Sequence, residues 1–255
     1  MSDDVLTELR GRVLYVTINR PERRNAMNAE VLHGIDAAVA QASGDTSIDA
    51  LVLTGAGDQA FCAGGDLVAG NTFQFDYAQP MLDFANLLRR ARAATVPLIA
   101  RVDGACMAGG MGLLAMCDLA FASNKSLFAL PEVKIGLFPM QVLTVLQHLI
   151  PRRVLTELCI SGEPIDAATA KAIGLINDVG DDVDALLERQ LARIAKASPT
   201  AVRRGLYAMK RVETMSFEES MAFTESQLGL AVLTEDAREG LASFGEKRKP
   251  VWPRK

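Results

Sequence analysis

The stretch "GACMAGGMGLLAMCD", Gly104 to Asp118, carries four glycines, two cysteines, three methionines and a single charge at its end. It is too apolar for an ordinary loop and too rich in glycine for an ordinary helix. It follows "VPLIARVDG" (96–104), a continuous apolar run that reads as a strand buried on both faces. A second run of the same kind, "DALVLTGAG" (49–57), leads into another small-residue stretch, "CAGGDL" (62–67). Two strand ends followed by glycines can each aim a backbone N–H into one pocket. Paired N–H donors stabilise charge on a carbonyl oxygen, each being worth about 10²–10³ in rate. Spacing alone fits close helix–sheet packing through glycine equally well.

Outward from this centre, strands and helices alternate. "RVLYVTIN" (12–19) has strand alternation, and "AEVLHGIDAAVAQASG" (29–44) has helical spacing with Asn28 as N-cap. A polar, aromatic stretch, "GNTFQFDYAQP" (70–80), precedes a helix at 81–94. "DLAFAS" (118–123) and "LFALPEV" (127–133) read as further strands. From Gln141 the pattern is helical, at 141–150, 167–174, 182–198, 199–214 and 217–248. An alternating αβ part thus leads into helices, with no repeat and no low-complexity linker.

Composition narrows the function. Hydrophobic residues at 49% and charged residues at 23% suit a globular chain, and a net charge of −4 disfavours a broad nucleic-acid or anionic-membrane surface. The acidic start "MSDDVLTELR" lacks signal- or transit-peptide character, and the longest uncharged apolar run, 105–117, is shorter than the roughly 20 residues of a membrane span. The chain reads as cytoplasmic. Four scattered cysteines (Cys62, Cys106, Cys117, Cys159) read as buried thiols, and with only two histidines no metal site is expected. "GAGDQA" (55–60) fits the loose dinucleotide pattern, but it runs into more glycines rather than a helix, so that reading loses.

Taken together, "INRPERRNAMN" (18–28), "LVLTGAGDQAFCAGGDL" (51–67), "ARVDGACMAGGMGLLAMCDLAFAS" (100–123), "FALPEVKIGLFP" (128–139), "LCISGEPIDAATAKAIGLINDVG" (158–180) and "FGEKRKPVW" (244–252) resemble the crotonase superfamily, the enoyl-CoA hydratase/isomerase family. The resemblance implies an α/β fold, a crotonase-like spiral of ββα units over 1–198, with a C-terminal helical trimerisation region over 199–255. It implies a homotrimer or a dimer of trimers, a coenzyme A thioester as substrate, and no separate cofactor. Its oxyanion donors fall on the N–H groups of Gly65 and Gly109. Its coenzyme A segments fall on Arg23 to Ala26 and Ala63 to Leu67, a set that includes Arg23, Arg24, Ala26, Ala63, Gly64, Asp66 and Leu67. Gly110, Pro131 and Met140 fall beside substrate. Adjacent guanidiniums at Arg23 and Arg24 suit phosphate, and Lys247, with Arg248 and Lys249, is expected to complete that site.

Hydratases of the family carry one glutamate three residues beyond the second oxyanion glycine and another in a "QPE" motif. Here the first position is Gly112 and the second is Glu132, in "LPE". An aspartate found eight residues beyond the second glutamate in diene isomerases and dehalogenating members is Met140. A lone acid in an apolar stretch has its pKa raised by desolvation and suits proton transfer. The expected chemistry is a proton shift by Glu132 alone. The alternatives are a hydratase with water held by another group, Asp66 and Glu157 being candidates, or a non-catalytic coenzyme A binder. Gly112 is expected to leave room for a bulkier acyl group or a water, and the pocket to be lined by 68–84 and the helices after Met140.

Overall fold

The computed structural model describes residues 3–67, 78 and 82–253. Strands β1 (Val5–Arg10), β2 (Val13–Ile18), β3 (Ala50–Gly55), β5 (Leu98–Val102), β7 (Leu119–Ser123) and β10 (Asp178–Gly180) form one sheet, in the order β1-β2-β3-β5-β7-β10. Only the β1–β2 hairpin is antiparallel in it. A smaller sheet runs β4 (Ala60–Cys62), β6 (Ala105–Met107), β8 (Leu127–Ala129) and β9 (Ile165–Asp166). From β3 to β8 successive strands alternate between the sheets, and each pair is followed by a helix: β3–β4 by α2 (Asp83–Ala93), β5–β6 by α3 (Gly109–Ala115), β7–β8 by α4 (Met140–Leu146). Each ββα unit therefore stacks on the last and gives the expected spiral. Every unit ends its short strand at the same edge, which brings the 62–66, 107–112 and 129–132 segments together.

Helix α1 (Ala29–Gly44) begins where Asn28 accepts the N–H of Val31 at 2.9 Å. It buries Val31, Ile35, Ala38, Val39 and Ala42 against the sheet. The unbroken apolar run of β3 serves two cores: Leu51 and Leu53 face the large cluster, and Ala50 and Val52 face a second one under α7 (Val183–Ile194). Helices α5 (Arg152–Ser161) and α6 (Ala167–Ala172) complete the first part.

Helices α8 (Pro199–Val212), α9 (Phe217–Ala231) and α10 (Glu235–Gly245) follow. Two basic side chains tie α8 to the body. Arg203 donates to the carbonyls of Ala42, Ser43, Asp45 and Ile48, closing the end of α1, and Lys210 donates to those of Ala91 and Ala94, closing the end of α2. Orphan carbonyls at a helix end are thus satisfied by cations. The outer faces of α8 to α10 instead expose large apolar side chains, among them Phe217, Leu241 and Phe244, the last 85% exposed.

Several elements depart from the sequence reading. The strand β1 arises in the polar stretch that shows no burial pattern, because it is an edge strand exposed on both faces. The expected strand 127–133 stops at Ala129, since Pro131 opens a 3₁₀ turn, Pro131–Ile135. The expected helix 217–248 is two helices, because Thr234 caps a new one by accepting the N–H of Ala237. The short strands β4, β6, β9 and β10 carry too few residues to be read beforehand, whereas α5 is an addition whose apolar positions Leu155, Leu158 and Cys159 do have helical spacing.

Candidate active site

The two glycine turns lie against each other. A methyl group built on Gly64 would sit 2.8 Å from the Ala108 Cβ and 3.4 Å from the Gly109 nitrogen, and one on Gly109 would sit 3.8 Å from the Gly65 nitrogen. Gly64 has φ +101°, a backbone state that needs glycine. Ala108 also has positive φ, +50°, and it holds that strain immediately before Gly109 while its own N–H bonds the Ala129 carbonyl at 2.9 Å. Among the described residues, no hydrogen bond uses the N–H of Gly65 or Gly109. Two unspent donors thus stand on facing turns.

The segment 20–27 is laced onto the first of these turns. Met27 N–H donates to the Gly64 carbonyl (2.7 Å), Asp66 N–H to Met27 (2.8 Å) and Ala63 N–H to Arg24 (3.0 Å). Asp66 is buried and receives Arg20 at 2.8 Å, while Arg20 also donates to the Ala26 carbonyl. Asn25, fully buried at φ +56°, donates to the carbonyls of Ala56 and Ala60. Arg23 and Arg24 project outward, and among the described residues neither guanidinium is ion-paired. Arg24 lines a cleft of 520 Å³ with Pro21, Glu22, Asn25 and 56–60. Leu67 is exposed beside this segment. Lys247 lies past the end of α10, and among the described residues no bond or ion pair joins it to 23–26; Arg248 is already held by Glu239 and Glu246.

Glu132 sits in the first turn of the 3₁₀ segment after Pro131, three residues past the Ala129 carbonyl that braces Ala108. Gly136 and Leu137 donate to its own carbonyl, fixing the backbone. Its Oε2 is buried with no hydrogen-bond partner among the described residues. Burial pushes its pKa above the ordinary glutamate value, opposed by a weaker backbone hydrogen bond. Behind it, the buried Cys159 thiol of α5 is raised by desolvation and by the Glu132 charge. Burial also raises the thiols of Cys106, Cys117 and Cys62, the last to about 12, so these are packing groups. Glu157 is exposed on α5, and Met140, opening α4, is 69% exposed.

Gly112 does not leave the expected room. A methyl group there would meet Phe84 Cζ at 2.6 Å and Val142 Cγ2 at 3.3 Å. The opening is filled by an aromatic ring from α2, which sequence spacing could not reveal. Gly110 is required for packing, because its methyl would lie 2.4 Å from the Cys62 carbonyl oxygen. Most of the pocket stretch expected at 68–84 lies outside the described residues; Phe84 is its described end. No trio of His, Cys, Asp or Glu among the described residues is arranged to hold a metal, and no described helix is long and apolar enough to cross a membrane.

Stacked ββα units with paired glycine turns and a buried carboxylate define an acyl-CoA enzyme of the crotonase type, and the chain belongs to the enoyl-CoA hydratase/isomerase family, whose model matches residues 8–255. It is 37% identical to the enoyl-CoA hydratase EchA19 of Mycobacterium tuberculosis, over 97% of this chain and 95% of that one. It is 32% identical to the (E)-benzylidenesuccinyl-CoA hydratase of Thauera aromatica, over 97% and 98%. The solved structure of an enoyl-CoA hydratase from Mycobacterium smegmatis superposes with TM-score 0.93 at 30% identity, covering 98% of this chain and 99% of that one.

Proposed function

We propose that this enzyme moves a carbon–carbon double bond along an acyl-CoA thioester, with Glu132 as its single acid/base. The thioester oxygen accepts the N–H groups of Gly65 and Gly109, which acidifies the α-carbon. Glu132 removes the α-proton to give an enolate, then returns it at the γ-carbon, so a C3=C4 bond becomes C2=C3, or the reverse. The observation that carries this reading is the half-buried carboxylate of Glu132, whose buried Oε2 has no hydrogen-bond partner among the described residues and whose pKa is raised by burial. The apolar filling at Gly112 supports it, because no second carboxylate stands there to orient a water. On the same reading Arg23 and Arg24 bind coenzyme A phosphates, and the apolar outer faces of α8 to α10 pack in a trimer.

The relatives named above are hydratases, which favours a second reading: addition of water to a 2-enoyl-CoA, with water held by a group other than a glutamate at 112. Mass-resolved turnover of 2-enoyl- and 3-enoyl-CoAs in D₂O, wild type beside Glu132→Gln, separates them. Migration of the double bond with deuterium uptake and no added water, lost in the variant, is the expected result. Net gain of water by wild type would establish the hydratase. Thioester binding without exchange or hydration would leave a binding protein.

A further inference from the structure

Gly112 stands one turn beyond Gly109 on α3, so the two share a helix face, and whatever covers Gly112 borders the pocket entered by a thioester held at Gly109. What covers it is the Phe84 ring, backed by Val142 of α4. The ring atoms Cζ and Cε1 lie 2.6 Å and 3.3 Å from where a Cβ at 112 would be, so ring and side chain exclude each other. The ring is not free to swing widely. Phe84 lies in the first turn of α2, and Leu87, Leu88 and Ala91 anchor the same face of that helix in the core.

We propose that Phe84 is the specificity-determining residue of this site, its ring closing the side of the acyl pocket beside Gly112 and so limiting the bulk an acyl group can carry there. The proposal rests on reading the site as an acyl-CoA site. A short, unbranched acyl chain passes the ring, whereas a branched or aryl group needs the volume the ring occupies. Phe84 is partly buried against the core, so removing its ring opens apolar volume at the edge of the core that an apolar acyl group can occupy.

The test is equilibrium binding of butanoyl-CoA and 3-phenylpropanoyl-CoA by calorimetry to wild type, Phe84→Ala and Phe84→Leu. Both ligands are saturated, so binding reports the pocket whichever reaction the enzyme catalyses. Phe84→Ala is expected to bind 3-phenylpropanoyl-CoA at least about tenfold tighter than wild type, with butanoyl-CoA little changed. Phe84→Leu keeps most of the buried surface and shows a smaller shift in the same direction, which preserves the test if the alanine variant does not fold. A merely structural role would alter both ligands alike. Unchanged selectivity with both ligands still bound overturns the role of Phe84 alone. Failure of wild type to bind either thioester overturns the acyl-CoA reading and this proposal with it.

Discussion

Asp66 and Glu132 are carboxylates in segments that flank the same pair of glycine turns, and the fold treats them in opposite ways. Asp66 is buried against Arg20, and its backbone N–H is spent on Met27. Glu132 has a buried oxygen with no partner among the described residues and a pKa pushed upward by desolvation. The first carboxylate fastens segment 20–27 to segment 62–66, so it serves architecture. The second has no such bond at its buried oxygen among the described residues, which is the state the proposed proton transfer needs. Equal charge therefore says little about role; the hydrogen-bond partners decide it.

Substitution breaks this comparison most sharply at Glu132. Glu132→Gln is expected to lower turnover about 10²–10⁴-fold, measured by steady-state kinetics on the best thioester of the panel. The same change is expected to raise the melting temperature at neutral pH. A carboxyl whose folded pKa is raised contributes stability only below its unfolded pKa, and that contribution is lost as pH rises through the raised value. At neutral pH the charged form burdens the fold, and the amide removes the burden. Asp66→Ala acts the other way. It takes from Arg20, whose side chain is 13% exposed, the nearer of its two carboxylates, leaving Asp4 at 3.4 Å, and is expected to cost about 1–3 kcal/mol in denaturant unfolding. If Asp66→Ala were as stable as wild type, the architectural half of the comparison would fail.

Smaller effects separate the glycines. Gly110→Ala must push against the Cys62 carbonyl oxygen, 2.4 Å away, and is expected to cost about 1–3 kcal/mol. Gly109→Ala clashes only with the Met27 Cε, the end of a flexible side chain, its other neighbours lying at ordinary contact distance, and is expected to cost under about 1 kcal/mol. Thermal melts of the two variants side by side check the ranking.

Much of this was legible in the chain. The Asn28 cap, the two-faced apolar strands and the glycine turns are local signals, and Glu132 stands out as an acid in an apolar run. What stayed hidden was tertiary. Phe84 lies 28 residues before Gly112, and no spacing rule links them; the filled space at Gly112 therefore looked open. Arg203 and Lys210 fall within the helix expected at 199–214 with no local signal of their role, yet they close the ends of α1 and α2 through carbonyls distant in sequence. The Arg20–Asp66 pair, likewise, joins residues 46 apart. Edge strand β1 escaped because exposure on both faces erases the alternation by which strands are recognised.

The central claim is that Glu132, half-buried and with no partner for its buried oxygen among the described residues, is the group proposed to move the proton. The most direct measurement is the rate of α-deuterium uptake by a 3-enoyl-CoA in D₂O as a function of pH, for wild type and Glu132→Gln. The account predicts a rate that falls as pH drops through a pKa above the ordinary glutamate value of about 4.3, because protonation removes the base, and near-complete loss of uptake in the variant. Uptake that persists in Glu132→Gln with the same pH profile would contradict it.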